Sequence, residues 1–187
     1  MEGPPTDKPF LGFPTIREDL SIMSTIHETA PRTQVHLERA VELAAENAAG
    51  DGGPFGAVVV TADGREFPAV NRVTADHDPT AHAEVMAIRS ACRELGTFDL
   101  SGAVLYTSCE PCPLCLSASL WARLDAVYFA ADRHDAAAGG FDDAEFYEFF
   151  ARSAQERDRA LPVRHVALAT RTEPFEAWAG NAQRTAY

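Results

Sequence analysis

Two short segments of the chain contain three potential metal ligands and one carboxylate. The first segment holds His82 and Glu84, and the second holds Cys112 and Cys115. One imidazole and two thiolates can bind zinc and leave its fourth tetrahedral position open for water. Bound zinc lowers the pKa of such a water to about 7, and a neighbouring carboxylate can move its proton. The residue types predict a hydrolytic Zn²⁺ site with three protein ligands and Glu84 as the proton carrier.

The spacing within each segment indicates where the side chains lie. His82 and Glu84 are two residues apart, and such residues face away from each other on a regular helix. They can converge on one ion near the first turn, and Thr80 is a suitable N-cap for a helix beginning there. Pro113 suits the first position of a second helix, which would put the thiolates near a positive dipole end. We expect two helix starts to meet at the metal.

Each segment alone also has a more ordinary interpretation. An H-x-E tripeptide is commonly part of a helix surface, and a C-x-x-C pair can be a redox pair, half of a structural zinc site or two buried thiols. Cys109 is a candidate fourth ligand for a closed structural site, although packing at a strand end suits it better. Neither a redox pair nor a structural site has a use for Glu84, which favours the catalytic interpretation.

Helical and strand patterns alternate around these segments. Residues 37–48 predict an amphipathic helix, and further helices are predicted to begin near residues 80, 113, 144 and 174. Strands are predicted at 55–61, 66–73, 103–108, 126–130 and 163–169. This order predicts one three-layer α/β/α domain over residues 33–187 with a central mixed five-stranded sheet. Residues 1–32, rich in proline and polar residues, are expected to form an N-terminal arm without a role in the chemistry.

The composition agrees with one compact enzyme domain. At 187 residues the chain can bury a core without disulfide bonds. Of its four cysteines, two are already assigned to the metal, which favours a reducing compartment. Neither a leader peptide nor a membrane span is evident. We expect a cytoplasmic protein without a membrane partner.

Longer stretches around the two segments resemble a known family. They are Gly52-Gly53-Pro54-Phe55-Gly56-Ala57, Asp78-Pro79-Thr80-Ala81-His82-Ala83-Glu84 and Tyr106-Thr107-Ser108-Cys109-Glu110-Pro111-Cys112. Together with the H-x-E and P-C-x-x-C patterns they resemble the cytidine deaminase superfamily. Within it, the chain is most similar to bacterial guanine deaminases. The resemblance extends over about residues 35–187 and does not include the arm.

The resemblance implies hydrolysis of guanine to xanthine and ammonia in purine salvage, with a zinc-activated water attacking C2 of the ring. Glu84 would pass the proton of the water to the ring nitrogen and then to the leaving amine. Asp143 resembles the second acid of guanine deaminases, although the sequence alone favours a simple N-cap. Asn71 would contact the base with its donor and its acceptor, whereas its residue type alone indicates a turn.

Further contacts with the base are expected at four positions. Phe55 and Trp121 could form pocket walls by stacking, although buried aromatic residues usually belong to the core. The backbone amide of Ala83 would face the attacked atom. Glu110 could bind the amino group or orient a metal ligand, and a surface carboxylate is the alternative.

The C-terminal segment 174–187 is unusually apolar and ends in the aromatic Tyr187. In bacterial guanine deaminases a similar tail is exchanged between two subunits and closes over the pocket of the partner, where it excludes water. The resemblance therefore implies a domain-swapped homodimer, with Tyr187 as a substrate contact. Packing of the tail on its own subunit is the alternative.

The zinc motif is shared by several deaminases, so other substrates stay open. Guanosine or a cytosine-type base is the main alternative, because the small residues 136–139 could enlarge the pocket. A tRNA adenosine deaminase is opposed by the formal charge of −12, since a phosphate backbone normally requires a basic surface. A zinc-stabilised binding protein without activity is opposed by Glu84. We expect a small-molecule nucleobase substrate and no nucleic-acid partner.

Overall fold

The computed structural model describes residues 30–141 and 143–186, and these residues contain four strands with the helices that connect them. The strands are β1 (Gly56–Val60), β2 (Glu66–Val70), β3 (Val104–Cys109) and β4 (Ala126–Ala131). The helices are α1 (Ala30–Ala48), α2 (Val73–Asp76), α3 (Ala83–Leu95), α4 (Pro113–Trp121), α5 (Arg133–Ala138), α6 (Ala144–Ala151), α7 (Ala154–Ala160) and α8 (Glu173–Gly180). Residues 1–29, which make up most of the predicted arm, lie outside the described part, as does Tyr187. Helix α1 begins within the last residues assigned to that arm.

The strands form one mixed sheet in the order β2-β1-β3-β4. Strand β1 is antiparallel to β2 and β3, while β3 and β4 are parallel. Parallel neighbours need a crossover connection, which α4 provides. The carboxyl ends of β3 and β4 therefore meet at one edge of the sheet, where the Glu110 N–H donates to the Ala131 carbonyl at 2.8 Å. The loops that follow these two strands lie side by side.

Helices cover both faces of the sheet. On one face, Ala57 and Val59 of β1 and Leu105 of β3 pack in a core cluster with Ala87 of α3 and Ala122 at the end of α4. On the other face, α1 packs on β1 and β3. The predicted three-layer α/β/α fold with a mixed sheet is confirmed.

Helix α1 approaches β1 so closely that only glycine fits at the contact. A Cβ atom on Gly56 would lie 2.4 Å from the carbonyl oxygen of Ala40 and 2.8 Å from the backbone nitrogen of Ala44. Non-bonded heavy atoms cannot approach so closely without displacing the backbone. The glycine at the start of β1 therefore determines how closely α1 packs on the sheet.

The predicted fifth strand, residues 163–169, is not formed within the described residues. Val163 and Val166 in this stretch are 79% and 72% exposed. An apolar, β-branched pattern becomes a strand only when a sheet edge accepts its hydrogen bonds. No strand of the described sheet pairs with this segment, so the sheet has four strands.

Two local features also differ from the sequence prediction. Thr80 is not the N-cap of α3; its hydroxyl donates to Asp78 at 2.7 Å, and His82 occupies the N-cap position instead. The short helices α2, α5 and α7 were not indicated by periodicity, because each is about two turns or less. Among the described helices, none combines the length and the apolar character needed to cross a membrane.

Candidate active site

The starts of α3 and α4 bring one imidazole and two thiols together. His82 Nδ1 lies 3.6 Å from Cys112 Sγ and 3.5 Å from Cys115 Sγ, and the two sulfur atoms are 3.7 Å apart. In a tetrahedral zinc site with Zn–S of about 2.3 Å and Zn–N of about 2.0 Å, ligand atoms are separated by roughly 3.5 to 3.8 Å. The three atoms thus have the spacing of three corners of a zinc tetrahedron, and the residues fit the metal.

Helix capping explains how these side chains reach one point. His82 and Cys112 are the N-cap residues of α3 and α4, with extended backbones, and neither side chain caps its own helix. Both side chains are therefore free to turn toward the neighbouring helix start. Cys115 follows in the first turn of α4 and is fully buried. The predicted meeting of two helix starts is confirmed, although α3 begins later than expected.

Hydrogen bonds within the cluster favour ionisation of Cys112 and disfavour ionisation of Cys115, whose pKa they raise. The Sγ atoms of Cys112 and Cys115 lie within hydrogen-bond distance, and this contact together with His82 lowers the pKa of Cys112 to about 4. The bond from Cys112 also raises the pKa of His82. Thiolates, rather than thiols, are the form that binds zinc. The cluster thus holds one thiolate, on Cys112, and a bound cation would displace the proton of Cys115.

Glu84 lies beside this cluster with only 6% of its surface exposed. Burial is the main cause that raises the pKa of Glu84, while a hydrogen bond with the Cys115 thiol lowers it. A carboxyl whose pKa is moved upward can accept and release a proton near neutral pH. The position of Glu84 and the upward direction of its pKa shift are those expected of a proton carrier.

A cavity of about 330 Å³ opens above the cluster, within the size range of small-ligand sites. The residues that line it include seven predicted site residues: Phe55, Asn71, His82, Glu84, Glu110, Cys112 and Asp143. Ala136, from the stretch of small residues expected to affect pocket size, lines it as well, and so do Val73, Thr74, Phe141 and Phe146, which sequence reasoning did not select. Phe141 and Phe146 could have been predicted from the sequence, because they are aromatic residues close to Asp143. Nothing in the sequence indicated helix α2, which contributes Val73 and Thr74.

Asn71 and Phe55 form one side of the cavity. The side-chain oxygen of Asn71 accepts from the backbone N–H of Val73 at 3.2 Å, which is the turn contact that its residue type suggests. Its backbone N–H donates to the carbonyl of Phe55 at 2.9 Å. The Phe55 ring meets Phe141 edge to face, with ring centroids 5.1 Å apart. These contacts hold an amide and an aromatic ring at the cavity wall.

Asp143 also lines the cavity, at the N-cap of α6. Its side chain makes no capping hydrogen bond, so the simple N-cap interpretation does not describe it. Its Oδ1 atom is buried and has no hydrogen-bond partner among the described residues. Burial raises the pKa of Asp143, and the Cys112 thiolate adds to this effect. A buried carboxylate oxygen without a partner is the arrangement expected where a ligand completes the site.

The other expected contacts have varied surroundings, and only Trp121 among the described ones lies away from the cavity. Both carboxylate oxygens of Glu110 are engaged by Arg133, which lowers the pKa of Glu110. Ala83 is fully buried in the core at the first position of α3, where its N–H is one of those that a helix leaves without an intrahelical partner. Trp121 is 52% exposed and lines a separate shallow groove between α3 and α4. Tyr187 lies outside the described residues.

Comparisons with known proteins agree with this site. Residues 31–131 match the family model described as the cytidine and deoxycytidylate deaminase zinc-binding region. Guanine deaminase from Bacillus subtilis is 48% identical over 155 residues, which cover 82% of this chain and 98% of that protein. An X-ray structure of guanine deaminase from Bacillus subtilis has a TM-score of 0.77 and 49% identity over 82% of this chain and 98% of that chain. A tRNA-specific adenosine deaminase from Aquifex aeolicus is 44% identical over 78 residues, 42% of this chain and 52% of that protein.

Proposed function

The chain belongs to the cytidine and deoxycytidylate deaminase family of zinc-binding proteins, and from this premise we propose that it hydrolyses guanine to xanthine and ammonia. The observation that carries the choice of guanine is the 48% identity with a guanine deaminase along 98% of its length. The match to a tRNA-specific enzyme covers only 42% of the chain. Two carboxyl groups, Glu84 and Asp143, border one small cavity beside the ligand cluster, which agrees with a purine amine as substrate.

His82, Cys112 and Cys115 are the residues that would hold zinc. Zinc bound there supplies a water of lowered pKa as the nucleophile. Everything else must come from groups that bind the base, exclude solvent and move protons. Ala136 of α5 and Phe146 of α6 line the cavity and would contribute to the second of these needs.

Glu84 would act as the proton carrier. Its carboxyl lies beside the ligand cluster and is buried, so a proton that it accepts is not lost to bulk water. From there it can protonate the ring nitrogen next to the attacked carbon and then the departing amine. Each transfer requires the same group to be a base and then an acid, which its raised pKa permits.

Asp143 and Asn71 would hold the base from two sides. The Oδ1 atom of Asp143, which has no hydrogen-bond partner among the described residues, can accept a hydrogen bond from the exocyclic amino group of the base. A base with a carbonyl at the same ring position has no hydrogen to donate there. Asn71 can donate to the ring edge with its amide group, and the Phe55 ring can stack on the base. Selection for an amine at the reacting carbon therefore depends on Asp143.

A substrate panel tests the proposal. Zinc-loaded protein is offered guanine, guanosine, cytosine, cytidine and adenine, and ammonia release is measured. We expect release from guanine alone. Preference for guanosine would mean that the wall at Ala136 is more open than a free base needs, and preference for a pyrimidine would reject the assignment of Asp143. Silence with all five substrates would reject the proposed function.

We also propose a homodimer in which the C-terminal segment, including residues 174–187, is exchanged between subunits. The segment carries large apolar side chains that a second subunit could contact. They are exposed by between 43% and 79% in the single chain and comprise Leu161, Val163, Phe175 and Trp178. Phe129 on the edge strand β4 is 44% exposed as well. A monomer seldom leaves so many large apolar side chains in water, and a second subunit would cover them.

The cysteines support a cytoplasmic location, which we propose. Cys92, Cys109, Cys112 and Cys115 are all free thiols. Thiolate ligands require reduced sulfur, which a reducing compartment maintains. Fractionation of cells should recover guanine deaminase activity with the cytoplasmic fraction, and recovery from an extracellular or periplasmic fraction would reject this location.

A further inference from the structure

Arg133 connects the loop before α4 to the start of α5. Its backbone N–H and its Nε atom donate to one carboxylate oxygen of Glu110 at 3.1 and 3.0 Å, and its terminal NH₂ group donates to the other oxygen. Glu110 is only 18% exposed and lies two residues before the ligand Cys112. A fork of this kind fixes both distance and orientation. The loop that carries the metal ligand and the loop after β4 therefore form one rigid unit.

Tyr147 attaches α6 to the same unit. The Arg133 guanidinium lies over the Tyr147 ring, with its Cζ atom 3.9 Å from the ring centroid. The Tyr147 hydroxyl donates to the carbonyl of Pro111. Cation–π contacts at this distance are attractive, and the hydroxyl adds direction. Helix α6 is thus held by polar contacts to Arg133 and to Pro111, the residue directly before Cys112.

Few apolar contacts are available to hold α6 otherwise. None of its residues is buried, and Phe146 and Phe150 are each 61% exposed. Asp143, its N-cap, makes no capping bond, so its carboxylate is not fixed by its own helix. Asp143 and Tyr147 are four residues apart, which places them near one face of the helix start. The direction of the Asp143 carboxylate therefore depends on what holds Tyr147.

We infer that Arg133 and Tyr147 are positioning residues that hold Asp143 at the substrate cavity, with Glu110 as their anchor. This inference rests on the proposed function, in which Asp143 receives the amino group of the base. It also gives Glu110 a role through Arg133 instead of a direct contact with the base. Misplacing a catalytic contact by about 1 Å can reduce turnover by about 100-fold, so a tether of this kind has a measurable effect.

The first test is Tyr147→Phe, which keeps the ring under Arg133 and removes the bond to Pro111. Arg133→Lys is a second variant that keeps the charge but loses the fork. We expect each variant to reduce kcat for guanine by about 10-fold or more while binding a full equivalent of zinc. Arg152→Gln is the matched control, because Arg152 pairs with Glu148 on the exposed side of the same helix. The control should retain wild-type kcat.

A double-mutant cycle separates positioning from general loss of structure. In an Asp143→Asn background, Tyr147→Phe should change kcat by less than about 2-fold, because the group it positions is already disabled. A 10-fold loss of kcat that persists in this background, or no loss in the wild-type background, would overturn the inference. If Asp143→Asn itself leaves guanine turnover unchanged, the proposed role of Asp143 fails first.

Hydrogen exchange gives a readout that does not depend on activity. In zinc-loaded Tyr147→Phe protein, the backbone amides of residues 144–148 should exchange faster than in wild type, while those of α3 and α4 should be unchanged. Unchanged exchange in α6 would show that the hydroxyl does not hold the helix, and the inference would be wrong. If the wild-type protein does not turn over guanine but Tyr147→Phe still exchanges faster in α6, the proposed function is rejected while the tether is supported.

Discussion

Glu84 and Asp143 are two acids with different environments at one cavity. Glu84 is almost fully buried and bonded to the Cys115 thiol, next to the ligand cluster. Asp143 belongs to a later helix, is less deeply buried and offers one oxygen without a partner. The first position suits transfer of protons to several atoms of a substrate, and the second suits recognition of one donor group. A cavity with a single acid could not divide these tasks.

Replacement of Glu84 by glutamine should separate zinc binding from catalysis. The amide is nearly isosteric but cannot carry a proton, so we expect a loss of at least about 100-fold in kcat for guanine. Zinc content and thermal unfolding should stay close to wild type, because Glu84 is not one of the three clustered ligands. Retained turnover would show that another group moves the proton. Loss of zinc would mean that Glu84 has a structural role at the metal.

At the scale of elements, the site depends on where two helices begin. The loops before α3 and α4 end in His82 and Cys112, which are the N-cap residues of these helices. The sheet sets the distance between these loops, since α3 and α4 pack on the same face of β1 and β3. Any change that tilts the layers would therefore change the metal geometry as well as the stability.

On the other face of the sheet, the packing of α1 on β1 depends on Gly56. We expect Gly56→Ala to reduce the free energy of unfolding by about 1–3 kcal/mol, because its Cβ would meet the backbone of α1. Urea unfolding of the zinc-loaded protein measures this change. Gly50→Ala serves as the control, since its Cβ would lie 3.6 Å from the nearest atom, at ordinary contact distance. Equal effects of the two substitutions would show that the close approach of α1 is not the cause.

At the scale of the whole molecule, the described chain divides into a packed part and an exposed part. Buried residues are confined to residues 40–122, whereas all described residues after 158 are exposed. The exposed part contains the stretch that has a strand pattern but no strand partner. Both observations agree with a segment that completes its contacts on another subunit.

Subunit complementation tests the exchange of the tail. A Glu84→Gln subunit retains its tail, and a subunit lacking residues 174–187 retains its catalytic groups. If the tail closes the pocket of the partner, unfolding and refolding the two together should restore guanine turnover in mixed dimers to at most about half of the wild-type value per site, whereas each variant alone is inactive. Light scattering verifies the dimer. If refolded mixtures form dimers but stay inactive, the tail serves its own subunit.

The sequence alone predicted the residues that can do chemistry and the order of the elements that carry them. His82, Glu84, Cys112 and Cys115 are recognisable because zinc and proton transfer require specific residue types at short spacings. The sheet and its covering helices are recognisable because burial imposes periods of about two and 3.6 residues. These are local consequences of bonding and burial, and a linear sequence displays them directly.

The tertiary structure alone decided which long-range neighbours share the cavity. Val73 and Thr74 enter it from a helix too short to show a period, and Glu110 is engaged by Arg133 from the loop after a parallel strand. Trp121 is absent from the cavity lining, and residues 163–169 lack a strand partner. Such outcomes depend on sheet order and on which edges remain open. The sum of many distant packing contacts determines them, and no local pattern contains that sum.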